Sequence, residues 1–458
     1  MLTYSIQTYG CSMNYSDTER METYLEALGY KKNPVLKKAD LIIFNTCSIR
    51  QRAEDRVLGQ MVRMGDLKKH NKNLVVVITG CMVRTPSSKY SAKRDGLFTK
   101  IKELDVAIKN DELPLLAKLI REVNPDINIK EIPEESLESY FQINPTHSSH
   151  ASNSQAFIAI SNGCDKFCTY CIVPFSRGRE KSRPLEQILK EAQVAVKNGA
   201  KEIILIGQTV NSYGLSTYDK AEKTFDYLKK EPFVYLLEEL DKLSDLGLER
   251  VRFTSSHPKD MSDDLIDAMS RLKTQMPYLH LPVQAGENAV LKRMNRTYTV
   301  TQYKEIIRKL REKIPKISIT TDIIVGFCGE TDEEFETTRK FFEEMDFEHA
   351  FISQYSNRNG TYASKKLKDN ISPKIKHSRW HTLNNTLKKN SNKVLKGFVD
   401  KTLKVLVEGQ EKDEWFGRSE HYKEVRFKSK KDLLGQIVKV KITSHDDFRL
   451  YGKIIASK

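Results

Sequence analysis

Cysteine is scarce in this chain, seven among 458 residues. An odd number in so long a chain excludes a closed disulfide framework as the basis of the fold. Long apolar runs are missing too. The longest, such as Leu74–Ile78, are far too short to cross a bilayer, so no membrane anchor is expected. The start, MLTYSIQTYGCSMN, has no basic stretch followed by an apolar core, and no signal peptide is read. Internal repeats and low-complexity tracts are also lacking. These absences leave a cytoplasmic chain with reduced thiols as the expectation.

What is abundant is charge. Lys and Arg number 76 against 61 Asp and Glu, a net of +15. Such an excess favours polyanionic partners and decides nothing about fold. It is unevenly spread: residues 361–396 hold ten Lys or Arg against one acidic residue, Asp369. Taken alone, that run reads equally as a solvated helix face. The length suffices for about three domains, each with its own core.

Residues 1–140 alternate strand-like and helix-like stretches. Strands are read at Tyr4–Thr8, Leu41–Asn45 and Leu74–Thr79, helices at Asp17–Leu28 and Arg50–His70. Alternation of this kind predicts an α/β domain with a parallel sheet. Residues 125–155, rich in Pro, Ser, Asn and Glu, read as a linker. From 150 to 388 the alternation resumes, with strands at Phe157–Ile160, Glu202–Ile206, Arg250–Thr254, Tyr278–Leu281, Ile317–Ile324 and His349–Gln354. Helices are read at Pro184–Lys197, Met261–Leu272 and Asp332–Glu344. Six βα units predict a partial βα barrel, with functional groups at the C-terminal ends of its strands. Residues 390–458 hold five short β-like runs, which predict a small barrel of the oligonucleotide-binding kind. Between Ser391 and Lys458 there are 16 basic and 10 acidic residues.

Cys164, Cys168 and Cys171 follow the first barrel strand in the run ISNGCDKFCTYCIVPFSRGR, spaced C-x3-C-x2-C. Three thiolates on one loop can hold three corners of a cubane iron–sulfur cluster and leave the fourth iron without a protein ligand. Zinc is the plain alternative, but it usually takes four ligands, and no His or second cysteine pair lies near. Cys11, Cys47 and Cys81 form a second set, each directly after a strand-like run: YSIQTYGC, LIIFNTC and LVVVITGC. Loops after successive parallel strands share one sheet edge, so these thiols are expected to meet. Gly10 and Gly80, next to two of them, allow close backbone approach to a cluster. The alternative is three buried cysteines packed as small apolar residues.

The triplet resembles the signature of radical S-adenosylmethionine enzymes, and the chain as a whole resembles the methylthiotransferases of the MiaB type. The resemblance runs through TYGCSMN, NTCSIRQRAEDR and ITGCM. It continues through NGCDKFCTYCIVPFSRGRE, LIGQTVNSYG, VRFTSSHP, HLPVQAG, IIVGFCGET and YSNRNGTYA. The end resembles a TRAM domain, a small RNA-binding barrel. The resemblance implies a transferase that converts N6-isopentenyladenosine to its 2-methylthio form at position 37 of tRNA. Sister branches act on threonylcarbamoyl-adenosine of tRNA or on a ribosomal-protein aspartate, and a rival of another class is a non-catalytic iron–sulfur RNA-binding protein.

It also implies cofactors and roles. Cys164, Cys168 and Cys171 would hold a [4Fe-4S] cluster that generates a radical from S-adenosylmethionine, and Cys11, Cys47 and Cys81 an auxiliary [4Fe-4S] cluster. Two S-adenosylmethionine molecules would be used per turnover, one as methyl donor and one as radical source. One-electron cleavage of a sulfonium demands a potential near the bottom of a range of roughly −700 to +450 mV. An apolar shell of Phe167, Tyr170, Ile172, Val173 and Phe175 would lower it. Tyr170 is also a candidate for contact with the cofactor's adenine. Gly207 and Gln208, ending the second barrel strand, would line the cofactor, as would the turn carrying Gly326 and Gly329. Cys328 stands in that turn where the family usually has proline and is read as a buried thiol. His257, Gln284 and Arg358, at later strand ends, are candidates for substrate contact. Arg177 and Arg179 would grip a cofactor carboxylate or a tRNA phosphate, or face water. Trp415, Phe416 and Phe427 would stack on unpaired bases or fill the barrel. The implied partners are the tRNA anticodon stem-loop and an electron donor of flavodoxin or ferredoxin type, met by a monomer.

Overall fold

The computed structural model describes residues 1–48, 51–85, 96–132, 140–145 and 153–455, without the side chains of 51–53. The described residues divide into two compact units. The first takes in 1–149, 162–165 and 172–183, and the second 150–161, 166–171 and 184–458.

The first unit is built on a parallel sheet, in the order β2 (Lys31–Lys32), β1 (Thr3–Tyr9), β3 (Leu41–Thr46), β4 (Val75–Gly80) and β5 (Val106–Ala107). The runs LIIFNT and VVVITG are buried along their whole length, as strands covered on both faces must be. Alternation sorts their side chains. Leu41, Ile43, Val75 and Val77 pack with Met21, Tyr24 and Leu25 of helix α1 (Ser12–Ala27). Ile42, Phe44, Val76 and Ile78 pack on the other face with Val57, Met61 and Met64 of helix α2 (Gln51–His70). Helix α1 begins five residues before the expected Asp17, because Cys11 takes its N-cap and the Asn14 side chain accepts the Cys11 N–H at 3.2 Å. The expected linker falls partly outside the described residues. Its described part contributes Ile129, Tyr140 and Ile143 to the first core: these few apolar side chains outweigh the polar composition around them.

The second unit starts with β6 (Gln155–Ala159); of the short paired strands β7 (Ser161–Asn162) and β8 (Lys181–Ser182), all but Ser161 belong to the first unit. The six expected barrel strands form two parallel sheets. One has the order β10 (Arg250–Phe253), β9 (Glu202–Ile206), β6. The other runs β11 (Tyr278–His280), β12 (Ser318–Val325), β13 (His349–Gln354). A parallel bridge between Val251 and Gln275 lies between the halves. Helices at Leu185–Lys197, Pro232–Asp241, Asp263–Arg271, Val300–Lys313, Asp332–Met345 and Pro373–Lys396 accompany the strands. None of the described helices is long and apolar enough to cross a membrane.

The end of the chain closes a barrel in the order β14 (Thr402–Glu411), β15 (Glu414–Ser419), β16 (Glu424–Lys428), β18 (Arg449–Ile454), β17 (Ile437–His445). Trp415 and Phe427 lie in its core beside Val405, Val440 and Leu450.

This barrel is fastened to the N-terminal edge of the first half-sheet. Gln155, Glu202 and Arg250 stand in one register row across β6, β9 and β10. Glu202, fully buried, accepts Arg252 Nε at 2.8 Å and Gln155 Nε2 at 2.8 Å. Arg250 donates to the carbonyls of Arg418 and Lys404, each at 2.9 Å, and Arg252 to that of Ser419 at 2.8 Å. The Arg252 guanidinium also lies over the rings of Tyr278 and Tyr422, at 5.6 and 5.0 Å. Removing the Glu202 charge leaves two buried guanidinium groups short of an anion. Glu202→Gln is therefore expected to destabilise the protein by roughly 3–5 kcal/mol, read as a lowered midpoint in urea unfolding of the purified chain.

Candidate iron–sulfur and cofactor site

The C-terminal ends of β1, β3 and β4 carry Cys11, Cys47 and Cys81. Ladder geometry continues into the loops: the Cys47 N–H donates to Tyr9 O at 2.9 Å and the Cys81 N–H to Thr46 O at 2.7 Å. Two asparagines lock the loops together. Asn14 Nδ2 donates to Asn45 Oδ1 at 3.0 Å, and Asn45 Nδ2 to Asn14 O at 2.7 Å and Thr18 Oγ1 at 3.0 Å. Gly80 sits at φ +89, and a Cβ there would stand 2.2 Å from Thr46 O. The demand for glycine thus comes from the neighbouring strand end.

The three thiols meet. Cys47 hydrogen-bonds both Cys11 and Cys81. Its hydrogen bonds lower Cys11 to about 6 and, against its burial, Cys81 to about 5, with Arg177 helping at both. The same hydrogen bonds push Cys47 up. Arg177 is buried, contrary to an expected place on a ligand or in water. Its Nη2 pairs with Asp17 Oδ2 at 2.6 Å, its Nη1 reaches Asn162 Oδ1 at 3.2 Å, and it hydrogen-bonds Cys81. Fully buried Asp17 also accepts the Tyr140 hydroxyl. Sequence patterns gave no role to Asn14, Asn45 and Asp17, although TYGCSMN and NTC carry two of them beside cysteines.

The loop after β6 is pinned at several points. In the first unit the Cys164 N–H donates to Gly178 O at 3.2 Å, and a Cβ on Gly163, at φ +82, would stand 2.1 Å from Arg179 O. In the second unit Cys168 and Cys171 share a turn, Cys171 N–H to Cys168 O at 2.9 Å. Thr169 between them donates its N–H to Met294 O at 3.0 Å and its hydroxyl to Arg293 O at 2.9 Å. Arg296 Nη1 lies 3.4 Å from Cys168 Sγ, and its other nitrogens donate to Tyr298 Oη and Pro282 O. Burial disfavours that guanidinium, but Tyr298, Tyr170 and Cys168 hold it firmly charged. The expected apolar shell is incomplete. Ile172 and Val173 are buried, while Phe167 and Phe175 are 41% and 44% exposed. Arg179 is exposed and pairs with Asp165 at 2.6 Å.

Further strand ends supply polar atoms without partners. Ser161 Oγ, Gln208 Oε1 and Ser256 Oγ, following β6, β9 and β10, are buried and make no hydrogen bond. A Cβ at Gly207 would stand 2.7 Å from Ser161 Oγ, so a side chain there would close this spot. Orphaned acceptors and donors are what a polar cofactor would satisfy. The Gly326–Glu330 turn is held by the Glu330 carboxylate, which accepts the Gly326 N–H and Arg379 Nη1, each at 2.6 Å. Gly326 and Gly329 have φ of +68 and +72. Phe327 from this turn meets Tyr170 edge to face, 6.3 Å between centroids. Cys328 is buried, hydrogen-bonds Tyr355, and is pushed up by burial. His257 is buried and held neutral, its backbone clamped by Asn211 at 2.8 and 3.0 Å. Gln284, at φ +70, hydrogen-bonds β12 through its backbone. Arg358 is half-buried, and its carbonyl accepts from Thr361.

Among the described residues, no group of three or more His, Cys, Asp or Glu is placed to hold a single metal ion. Thiols as the whole donor set, with a guanidinium facing each trio, fit iron–sulfur ligation. In the small barrel, Trp415 and Phe427 are core residues and offer no face to a base, which corrects part of the stacking expectation. Phe416 is half-buried under Arg426, 5.6 Å from its ring.

Comparison with known proteins spans nearly the whole chain. The Radical SAM superfamily model matches residues 158–342, the uncharacterized protein family UPF0004 residues 3–99, and the TRAM domain residues 399–455. The chain is 39% identical to a tRNA-2-methylthio-N(6)-dimethylallyladenosine synthase of Thermoanaerobacter sp. (strain X514), covering 99% of this chain and 93% of that protein. It is 38% identical to one of Clostridium tetani, covering 98% and 96%. Among solved structures, the radical S-adenosylmethionine methyltransferase TsrM from Kitasatospora setae matches at TM-score 0.54 and 14% identity, over 77% of this chain and 72% of that one. The last likeness is one of fold.

In the metal-free protein Cys11, the exposed member of its trio, should be mostly thiolate at pH 7. Its alkylation by iodoacetamide should slow by about tenfold per pH unit below 6, while buried Cys328 stays unlabelled. Peptide mass spectrometry over a pH series reads both.

Proposed function

The chain belongs to the tRNA-2-methylthio-N(6)-dimethylallyladenosine synthases, a family of radical S-adenosylmethionine enzymes, and on that premise we propose how its residues divide the work. The enzyme is a methylthiotransferase that converts N6-isopentenyladenosine of tRNA to 2-methylthio-N6-isopentenyladenosine, at position 37 in our reading. The family implies a [4Fe-4S] cluster and S-adenosylmethionine. We assign that cluster to Cys164, Cys168 and Cys171, and a second one to Cys11, Cys47 and Cys81. When bound, the first supplies the low-potential electron that cleaves S-adenosylmethionine, and the second carries the sulfur to be transferred.

The observation that carries this reading is the meeting of three thiols from far apart in sequence at one sheet edge. The chain's own residues do the rest. Arg296 orients the Cys168 sulfur through the hydrogen bond from its Nη1 at 3.4 Å. Ser161, Gln208 and Ser256 hold polar groups of S-adenosylmethionine, with Gly207 leaving room and Tyr170 and the Gly326–Gly329 turn flanking its adenine. His257, Gln284 and Arg358 face the substrate base. Two S-adenosylmethionine molecules are consumed per turnover, and a flavodoxin- or ferredoxin-type protein provides electrons to a cytoplasmic monomer. Its segments are the sulfur-carrying domain 1–140, the radical domain 150–388 and the RNA-binding barrel 390–458.

The RNA face is supported by a charge arrangement on the small barrel. Exposed Lys404 pairs in register with exposed Lys439 across β14 and β17, and Lys441 with Lys453 across β17 and β18. Like charges directly opposite destabilise a sheet by a few tenths to about 1 kcal/mol per pair, a cost that a polyanion relieves. By contrast, part of the basic run ahead of the barrel serves the fold: Lys376 pairs with Asp369 at 2.7 Å and Arg379 with Glu330 at 2.6 Å.

Two experiments test the reading. Anaerobically purified protein should hold two clusters by iron and sulfide analysis, and substituting either cysteine trio by alanine should remove one cluster and abolish the methylthio nucleoside in a deletion strain. A single cluster, indifferent to loss of Cys11, Cys47 and Cys81, refutes the second assignment. Changing Lys404, Lys439, Lys441 and Lys453 to Gln should make log affinity for tRNA fall less steeply with log salt. The slope should shrink by about 0.7–0.9 for each phosphate no longer neutralised, read by filter binding.

A further inference from the structure

Arg177 belongs to the segment that follows Cys164, Cys168 and Cys171 in sequence, yet its side chain serves the other trio. It is 6% exposed. Three fixed partners leave it little freedom: Asp17 Oδ2 at 2.6 Å, Asn162 Oδ1 at 3.2 Å and the sulfur of Cys81. Its charge also bears on Cys11. Asp17 is itself held in place. It is fully buried, sits on α1 next to the Cys11 turn, and accepts the Tyr140 hydroxyl. The Arg20 guanidinium lies over the Tyr140 ring at 5.4 Å and donates to Ile143 O. A buried cation with its counter-ion anchored on the far side therefore presents a permanent positive end to the sulfur atoms.

Hydrogen bonds to cluster sulfurs and the net charge around them set an iron–sulfur potential. We infer that Arg177 is a positioning residue for the second cluster: its guanidinium, oriented by Asp17 and Asn162, hydrogen-bonds the Cys81 sulfur and raises that cluster's reduction potential. The inference rests on the assignment of a cluster to Cys11, Cys47 and Cys81. A positive end at the sulfur-carrying trio also stabilises the anionic sulfur that must wait there before transfer. No proton needs to move, because a guanidinium stays charged throughout the usable pH range.

The test uses the full chain with Cys164, Cys168 and Cys171 changed to alanine, so that the second cluster alone is present. Its midpoint potential is followed by potentiometric titration with an electron paramagnetic resonance readout. Arg177→Gln should move the midpoint downward, and Arg177→Lys should restore part of the shift. Asp17→Asn removes the counter-charge and should move it upward. Shifts of opposite sign cannot come from mere loosening of the fold, and Asp17→Asn carries the test if Arg177→Gln fails to hold iron. A cluster present at full iron with an unmoved midpoint in both variants, or shifts of the same sign, overturns the inference alone. A parent protein without iron overturns the cluster assignment and the inference with it.

Discussion

Parallel strand pairing is the constraint on which the chemistry of this molecule depends. Strands that run in one direction bring their C-terminal loops to one edge, and inside the sheet every backbone polar group is spent on the ladder. In the first unit the rule gathers thiols from residues 11, 47 and 81, which no local contact could bring together. In the second it sets Cys168 and Cys171, Gln208, Ser256, Gln284, Gly326 and Arg358 after successive strands. The sheets supply rigidity and the loops supply reactivity.

The opposite edge of the second unit's strands has a different use. The N-terminal ends of β6, β9 and β10 hold a polar row, half-buried Gln155 with buried Glu202 and Arg250, whose guanidinium donates to carbonyls of the small barrel. Desolvating this row costs about as much as its Coulombic attraction returns, so its value lies in direction. Guanidinium forks aimed at the carbonyls of Lys404, Arg418 and Ser419 fix how the barrel sits on its neighbour in a way that an apolar patch would not. The loops after the strands and the barrel's attachment thus lie at opposite ends of the same strands.

Much of this was legible in the sequence because the signals were local. Apolar runs marked β1, β3, β4, β6 and β9 to β13 to within a residue or two, and C-x3-C-x2-C marked the loop. The gathering of Cys11, Cys47 and Cys81 followed from strand-end placement, since topology does the folding back. What the sequence hid was side-chain direction. Arg177 and Arg179 stand two apart in one basic run, yet one is buried against Asp17 and the other paired at the surface with Asp165. Trp415 and Phe416 are neighbours on one strand. Alternation sends the first into the barrel core and leaves the second half-buried, and composition could not tell which was which. The early start of α1 was missed because its cap is a cysteine with an asparagine behind it, outside the usual N-cap preferences.

The distribution of positive charge shows how one composition serves two ends. Arg252, Arg177, Arg296 and Arg379 are buried, each facing a carboxylate or a thiol. Arginine suits these places, because a planar fork loses little freedom as it makes several hydrogen bonds. The exposed excess is lysine, set in like-charged cross-strand pairs on β14, β17 and β18. Lysine is a compact, strongly hydrated charge on a flexible stem, fit to follow a phosphate backbone without demanding one geometry. A surface kept only for solubility would intersperse acidic residues among such pairs. Facing lysines instead leave the barrel under a small electrostatic strain, one that an anionic strand would relieve in the RNA-binding reading proposed above.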